Sequence, residues 1–246
     1  KTIIVIILCL IPFTFGFLIP IVRLLTWSFV SNINSIDNSL GKITFNTILI
    51  SIISSVFIII TAYLISFTKN YFNSDALKKI SHAAVLGYSM PGAIIAIGIL
   101  KLSSSLDSLI SLVLIGSTLG LIFAYLVRFF AVAWQPIESS MEKQCDSINQ
   151  ASRILKVRAI TSMRKINLPI LKNPLLLTFL IVFIDITKEL PLTLILRPFN
   201  FDTLATLTYD LVNQAQFFQS SVPSLLIILT SLPAILIINR KVISEA

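Results

Sequence analysis

Six apolar runs constrain this 246-residue chain more than any other feature of its sequence. Each run is about 20 residues long, the length that an α-helix needs to cross the hydrocarbon core of a bilayer. Only 12% of the residues are charged, against about 25% in an ordinary soluble domain. The sequence therefore predicts an all-α integral membrane protein with six transmembrane helices, at residues 3–27, 44–67, 80–100, 109–133, 174–196 and 222–238. The first run is too long for the core of a secretory signal and no small-residue cleavage site follows it, so it is predicted to be a retained helix.

Basic residues predict the orientation of these helices, because Lys and Arg are retained on the cytoplasmic side of a membrane. Thirteen of the 19 Lys and Arg residues lie at the two termini, between the second and third runs, or between the fourth and fifth runs. The loops on the other side carry only Lys42 and Lys101, with Arg23 and Arg197 near helix ends. We therefore expect a multi-pass membrane protein with both termini in the cytoplasm.

The residue inventory argues against several kinds of site. The chain has two cysteines, Cys9 and Cys145, and one histidine, His82, without CxxC or HExxH spacing, so no metal site or cofactor is expected. The basic loop lacks interleaved aromatic residues, so no nucleic-acid partner is expected. A P-loop and the GxGD and GxSG motifs of intramembrane proteases are absent from the sequence, and Tyr209-Asp210 falls in a predicted exterior loop. We expect a protein that is not an enzyme.

About 40 residues separate the fourth and fifth runs, far more than an ordinary helix connection needs. Ser147 followed by Gln150 matches a capping box, which predicts that a helix begins there. A second short helix is predicted around Ile160, Met163 and Ile166, closed by Pro169. Two amphipathic helices of this kind suit either the lipid headgroups or a docking site for a cytoplasmic protein, and composition does not separate the two.

Part of this connection resembles the EAA loop of binding-protein-dependent ABC permeases, whose pattern is EAA, a glycine four residues later and a terminal LP. The matching residues are Gln150, Ala151, Ser152, Lys156, Leu168 and Pro169. The resemblance implies that residues 147–169 form a coupling helix that contacts an ABC ATPase dimer. Gln150 replaces the acidic residue, Ser152 the second alanine and Lys156 the glycine. If the turn needs a positive φ at Lys156, its side chain costs on the order of 1 kcal/mol.

A second stretch, residues 188–206, reads KELPLTLILRPFNFDTLAT. It is similar to the KELPxTLxLRPFxFDTLAT run of iron(III) ABC permeases, in the carboxy-terminal half of those internally duplicated chains. Pro91-Gly92, where a kink in the third helix is predicted, also resembles that family. The resemblance implies a type I importer permease fold, with a first helix and exterior loop at 1–42 and a five-helix transmembrane domain at 43–239.

Charged residues inside the fifth apolar run mark a candidate site independently of any resemblance. Asp185, Lys188 and Glu189 lie three and four residues apart, so they can share one side of a helix. Each charge at membrane depth costs about 2.5–3.5 kcal/mol, so these groups must face a partner or a wet pathway. A local salt bridge is the structural alternative to a pathway or gate. Pro191 predicts a kink just beyond the cluster, and Arg197 is expected to reach the outer interface. Both are grouped with the three charges as candidate residues of a translocation pathway or gate.

These features lead us to expect a permease, or half of one, in an ATP-driven importer of ferric iron. The expected partners are an ABC ATPase dimer, a periplasmic solute-binding protein, a second six-helix half in the same or another chain, and membrane lipid. A permease for thiamine or an organophosphonate is the nearest alternative. A membrane scaffold without transport activity is the alternative of another class, although it has no need for charged residues in the fifth run.

Overall fold

A computed structural model describes residue 8 and residues 10–31, 39–72, 79, 85–104 and 116–245, without the side chains of residues 145–146 and 242–245. Lys1, Cys9, His82 and residues 109–115 of the fourth predicted run lie outside this part. The secondary structure within the described residues is helical. The helices are α1 (Leu10–Val30), α2 (Ser39–Phe72), α3 (Gly92–Ser104), α4 (Thr118–Ile154), α5 (Ala159–Ile170), α6 (Lys172–Thr187), α7 (Pro191–Leu196), α8 (Leu204–Asn213) and α9 (Phe217–Glu245).

Four of these helices are long and apolar enough to cross a bilayer: α1, α2, α9 and the part of α4 at Thr118–Gln144. Helices α5 and α6 meet at an angle of 74° and would add a fifth span if they are counted as one broken helix. The structure thus supports an all-helical membrane protein with four to five candidate spans in its described residues, and it does not confirm six. The third predicted run contains a 3₁₀ turn, Leu86–Ser89, followed by the short helix α3.

Helices α2, α4 and α6 pack against one another and form the centre of the bundle. Helix α2 presents the buried side chains of Ser51, Ser54 and Ser55. Small side chains let helix backbones approach closely in a bilayer, where no hydrophobic effect drives helices together. On α4, Tyr125 and Ile137 are fully buried. Helix α1 lies at the periphery, with no buried residue in Ile19–Val30, and contacts α9.

Two hydrogen bonds from α2 place the polar segments at opposite ends of the bundle. Near the start of α2, Thr47 accepts a hydrogen bond from the backbone N–H of Leu204, at the first residue of α8. Farther along α2, Tyr63 donates to the backbone oxygen of Met163 in α5, over 2.7 Å. Sixteen residues of helix separate Thr47 from Tyr63, which corresponds to about 24 Å. The ends that carry α8 and α5 therefore lie close to one bilayer thickness apart.

Gly87, in the 3₁₀ turn, lets that turn approach the backbone of α4. A Cβ added to Gly87 would lie 2.3 Å from the carbonyl oxygen of Val127. This oxygen belongs to the backbone of α4, so it cannot rotate away as the end of a flexible side chain could. The glycine is therefore required for the contact between this turn and α4.

Gly87→Ala should lower the stability of the protein by about 1–3 kcal/mol, the usual cost of overpacking. The measurement is the midpoint of thermal unfolding in detergent. Gly98→Ala is the matched control, because a Cβ at Gly98 meets nothing within 4 Å and alanine favours a helix. Equal midpoints for the two variants would show that this contact is not needed.

Candidate functional site

The fifth apolar run is broken within its charged cluster. Helix α6 ends at Thr187, and α7 begins at Pro191. Proline has no N–H, so Pro191 cannot donate to the carbonyl of Thr187, and this missing hydrogen bond favours the break observed here. The break therefore includes Lys188 and Glu189 themselves, whereas the sequence predicted a kink just beyond them.

A second break lies in the third apolar run, at the predicted position of a kink. Met90 has an extended backbone, with φ −87° and ψ 136°, between the 3₁₀ turn and α3. Pro91 precedes the first residue of α3, Gly92, and its carbonyl accepts a hydrogen bond from the N–H of Ile94 over 3.0 Å. Pro91-Gly92 therefore starts a new helix here instead of bending a continuous one.

Arg128, on α4, connects the two breaks. Its Nε lies 3.2 Å from Oε2 of Glu189, and its Nη1 lies 3.5 Å from the backbone oxygen of Met90. The other carboxylate oxygen of Glu189 accepts a hydrogen bond from the N–H of Leu192, over 3.2 Å. The Glu189 side chain is 7% exposed and that of Arg128 is 20% exposed, so this is a largely buried ion pair. Because the pair is largely buried, loss of either charge would leave the other uncompensated in a region of low polarity.

Gly92 leaves the space that this ion pair occupies. A Cβ added to Gly92 would lie 2.4 Å from Nη1 of Arg128 and 2.8 Å from Oε1 of Glu189. The start of α3 also points its unpaired backbone N–H groups and the positive end of its helix dipole to this region. Both features favour a carboxylate beside Gly92.

The other two charges of the cluster pair locally, as the structural alternative predicted. Lys188 Nζ lies 3.0 Å from Oδ1 of Asp185, and the Lys188 side chain is 60% exposed. Together with the Arg128–Glu189 pair, these groups line a cleft of about 590 Å³. The remaining lining residues are Tyr88, Ser89, Met90, Pro91 and Phe129. Two cations and two carboxylates meet in this cleft, so its described charges balance.

A buried hydrogen-bond chain supports the cleft from behind. The hydroxyl groups of Tyr125 and Thr193 are 2.7 Å apart, and Thr193 donates to the backbone oxygen of Glu189 over 2.9 Å. Tyr125 and Thr193 are fully buried. This chain joins α4 to α7 one helical turn from the Arg128–Glu189 pair, and it therefore restrains the backbone that carries Glu189.

Arg197 was expected to extend to the membrane surface, but the structure places it in a separate cluster of charges. Its guanidinium forms ion pairs with Asp202 and with Asp210, the latter over 3.3 Å. Asp210 lies in α8, although the sequence predicted an exterior loop for this region. Helix α8 begins with a capping box between Thr203 and Thr206. Arg197 does not line the cleft, so the sequence prediction grouped it with residues from which the fold separates it.

The predicted helix start at Ser147 is wrong, because α4 runs without interruption from Thr118 to Ile154. A capping box needs a chain that enters the helix from outside, and the preceding residues are already helical here. Gln150 and Ala151 are exposed on the last turns of α4, whereas Ser152 is buried. Leu168 and Pro169 are exposed near the end of α5. The EAA-like residues thus occupy two helices joined by a tight turn.

Lys156 forms that turn in the left-handed conformation, with φ 53°. The backbone therefore has the positive φ for which glycine is the favoured residue, and a lysine adopts it at a cost on the order of 1 kcal/mol. The turn leaves Ile154, Leu155 and Ile160 strongly exposed, with Ile154 at 80%. Basic residues surround these apolar side chains, and the result is an apolar surface with a basic rim at this end of the bundle.

Buried amides hold the two arms of the turn together. Asn167 Nδ2 donates to Oδ1 of Asn149 over 2.9 Å, and both side chains are fully enclosed. The same amide group lies 3.3 Å from the backbone oxygen of Ser162. From α2, Tyr71 donates to the backbone oxygen of Val157 over 3.0 Å. The turn is consequently attached to α2 as well as to α4.

Sequence reasoning missed Arg128 and a buried pair between α2 and α4. Lys69 Nζ lies 2.5 Å from Oε1 of Glu138, and Ser66 donates to the other oxygen of that carboxylate. Arg128 lies inside the fourth predicted span. A lone charge in such a span is costly, and this cost could have marked Arg128 as a functional candidate. The sequence could not indicate which acidic residue it meets.

The chain resembles a known transport protein over most of its length. No protein-family model matches it. Among curated proteins, the Fe(3+)-transport system permease protein FbpB 2 of Haemophilus influenzae is 22% identical over 232 residues. The match covers 89% of this chain and 45% of that protein, so the chain spans less than half the length of the relative. The chain is thus similar to a transport permease, which is not an enzyme, and the similarity supports a permease role.

Arg128→Gln and Glu189→Gln should each lower stability more than the double variant Arg128→Gln/Glu189→Gln. Each single change leaves one buried charge without its partner, which costs about 3–5 kcal/mol, whereas replacing both charges is often neutral. Chemical denaturation of the four proteins in detergent measures the coupling. As a control, Asp185→Asn should cost less than about 1 kcal/mol, because its partner is solvent-exposed. Additive losses in the double variant would mean that the two side chains do not stabilise each other.

Proposed function

We propose that this protein is a permease, or half of one, in an ATP-driven importer, and that the cleft at Arg128 and Glu189 belongs to the translocation pathway or its gate. The observation that carries the proposal is the meeting of two broken helices at a balanced cluster of charges that includes the largely buried Arg128–Glu189 pair. Transporters build solute sites from discontinuous helices near the bilayer midplane. Arg128 lies ten residues into α4, about 15 Å along its axis, which is half of a hydrocarbon core.

The alternative of a scaffold explains the cleft less well. Four charges inside a membrane bundle are costly, and apolar side chains of similar size would pack the same space without that cost. Intramembrane charges in such a setting are by default a sign of function. The similarity to a transport permease supports the same choice.

The proposed architecture is a type I importer fold with six spans, a first helix and exterior loop at 1–42 and a five-helix domain at 43–239. The four to five candidate spans in the described residues support it, with α3 as part of a further, interrupted crossing. Both termini would be cytoplasmic in a bacterial inner membrane, because Lys and Arg concentrate at that side. The end that carries α8 would then be exterior and receive solute from a periplasmic binding protein.

Coupling to an ABC ATPase dimer would use residues 147–169. The exposed Ile154, Leu155 and Ile160 supply an apolar contact, and the surrounding basic side chains suit an acidic rim on the ATPase. Gln150, Ala151, Ser152, Lys156, Leu168 and Pro169 are the residues proposed for this contact or for the shape of the turn. A second six-helix half would complete the permease, since the match covers less than half of the relative.

Ferric iron is the proposed solute. The similarity to an Fe(3+)-transport permease supports it, as does the KELPLTLILRPFNFDTLAT run. Hard cations prefer oxygen ligands, and the cleft offers the carboxylates of Asp185 and Glu189 with the hydroxyl groups of Tyr88 and Ser89. Because both carboxylates already have cationic partners, passage of a cation would require Arg128 or Lys188 to move away from its carboxylate.

The double variant Arg128→Gln/Glu189→Gln should reach normal membrane abundance but lose uptake of labelled ferric iron by about tenfold or more, since the charges are removed together and the packing is kept. Glu189→Gln alone would be a less specific test, because it would leave the largely buried Arg128 without its partner.

Uptake and abundance are measured together in cells that carry the complete transporter. Lys42→Gln, which removes an exposed charge at the start of α2, serves as the control. Normal uptake by the double variant at normal abundance would remove the cleft from the pathway.

A cysteine at Ala151 should crosslink to the ATPase, because this exposed residue lies on the proposed coupling surface. The test uses a chain in which Cys9 and Cys145 are replaced by serine, and a short bifunctional thiol reagent. Asn213→Cys is the control, because this exposed residue lies at the opposite end of the bundle. An ATPase adduct from position 213 and none from position 151 would reverse the proposed orientation.

A further inference from the structure

Two smaller clefts extend the candidate site along one side of α4. Each has a volume of about 290 Å³. The first shares Tyr88 and Ser89 with the Arg128 cleft, and the second shares Val85 and Gln135 with the first. Shared lining residues place the three clefts next to one another along α4, in a row that ends at Glu142 and is called the groove below. From Arg128 to Glu142 this groove follows α4 for about 21 Å.

The lining of the two smaller clefts is mostly apolar, but it includes polar side chains of α4. Gln135, Ser139 and Glu142 are exposed, and all three line the end of the groove away from Arg128. Their spacing of four and three residues places them on one face of α4. Gln135, Ser139 and Glu142 lie within the candidate span Thr118–Gln144. With Arg128 halfway through a hydrocarbon core, Gln135 lies about 10 Å farther along α4 and still inside the core, whereas Ser139 and Glu142 lie at its end and beyond it. A polar side chain at the depth of Gln135 faces a partner or a water-filled path.

A proline adds a backbone oxygen to the same face. Pro136 lies inside α4 and has no N–H to donate to the carbonyl of Val132. Both residues line the middle part of the groove. The carbonyl of Val132 therefore lacks the usual helical hydrogen bond from residue 136 at this point of the groove.

The charges of the groove change from one end to the other. At the first end, Arg128 and Lys188 balance Glu189 and Asp185. At the other end, Lys69 lies 2.5 Å from Glu138 and 3.6 Å from Glu142, so one cation meets two carboxylates. The Glu142 side chain is 59% exposed. Among the described ion pairs of the groove, the excess charge is thus negative and lies at the end nearer the coupling turn.

We propose that this groove is the route by which a cationic solute leaves the Arg128 cleft, with Gln135, Ser139 and Glu142 as residues that line it. The inference rests on the proposed permease function and adds pathway residues to it. Oxygen atoms from an amide, a hydroxyl and a carboxylate suit a hard cation. The carboxylate excess at Glu142 attracts such a cation toward the cytoplasmic end and repels an anion.

Thiol labelling tests whether the groove contains water. Single cysteines at Gln135 and Ser139, in a chain with Cys9 and Cys145 replaced, should react with a charged methanethiosulfonate reagent in membranes that hold the complete transporter. Leu64→Cys is the matched control. It is exposed, lies two residues from Ser66, which contacts Glu138, and does not line the groove. Its depth is therefore similar, and it should not react.

Ser139→Lys and Ser139→Met test whether the route carries a cation. The two side chains are of similar length, so a steric effect lowers uptake equally in both variants. A fixed positive charge should repel a cationic solute, and uptake of labelled ferric iron should fall roughly tenfold further with Ser139→Lys than with Ser139→Met. Membrane abundance is measured for both variants.

The labelling result, the comparison of the two Ser139 variants and the uptake of ferric iron each test a different part of the proposal. Absence of labelling at positions 135 and 139, with the reagent active elsewhere, overturns the groove as a route. Equal uptake by Ser139→Lys and Ser139→Met at equal abundance overturns its preference for cations. If the unmodified transporter takes up no ferric iron, the proposed solute fails, whereas labelling at positions 135 and 139 still supports a water-filled groove.

Discussion

The ion pair between Arg128 and Glu189 is the interaction on which the centre of this structure depends. A lone charge inside a bilayer costs several kcal/mol, so each of these residues needs the other in place. The pair needs space, which Gly92 provides, and it needs a backbone held in position, which the hydrogen bond between Tyr125 and Thr193 provides. Two helix breaks meet at the pair for the same reason. Continuous helices would not bring Glu189 and Gly92 to Arg128 in this way.

Helix α4 connects this centre to the turn at one end of the bundle. It carries Arg128 at the cleft, Glu138 in the pair with Lys69, and Asn149 in the pair with Asn167. Helix α2 runs beside it and holds the same turn through Tyr63 and Tyr71. A displacement of the turn would therefore act on α2 and on α4, which carries Arg128 in the cleft. In the proposed importer, α4 would be the physical connection between ATPase closure and the pathway.

The sequence located about half of the candidate site. Glu189, Lys188, Asp185, Pro91 and Gly92 all line or border the cleft, because charges and prolines inside apolar runs are visible without a structure. Arg128 was missed because its partner is 61 residues away along the chain, and pairing over such a distance leaves no local pattern. The capping box at Ser147 was a misleading local signal, because the residues that precede Ser147 are already part of α4.

The sequence by itself determined the membrane class, the helical secondary structure and the unusual turn at Lys156, whose positive φ follows from the glycine position of the EAA pattern. These properties depend on composition and on short-range order, so they can be read along the chain. Only the tertiary structure decided which charges pair, that Arg197 belongs with Asp202 and Asp210 outside the cleft, and that polar residues of α4 line one groove. Those outcomes depend on how helices distant in sequence pack, because a charge in a bilayer is stabilised by whichever partner the fold brings within reach.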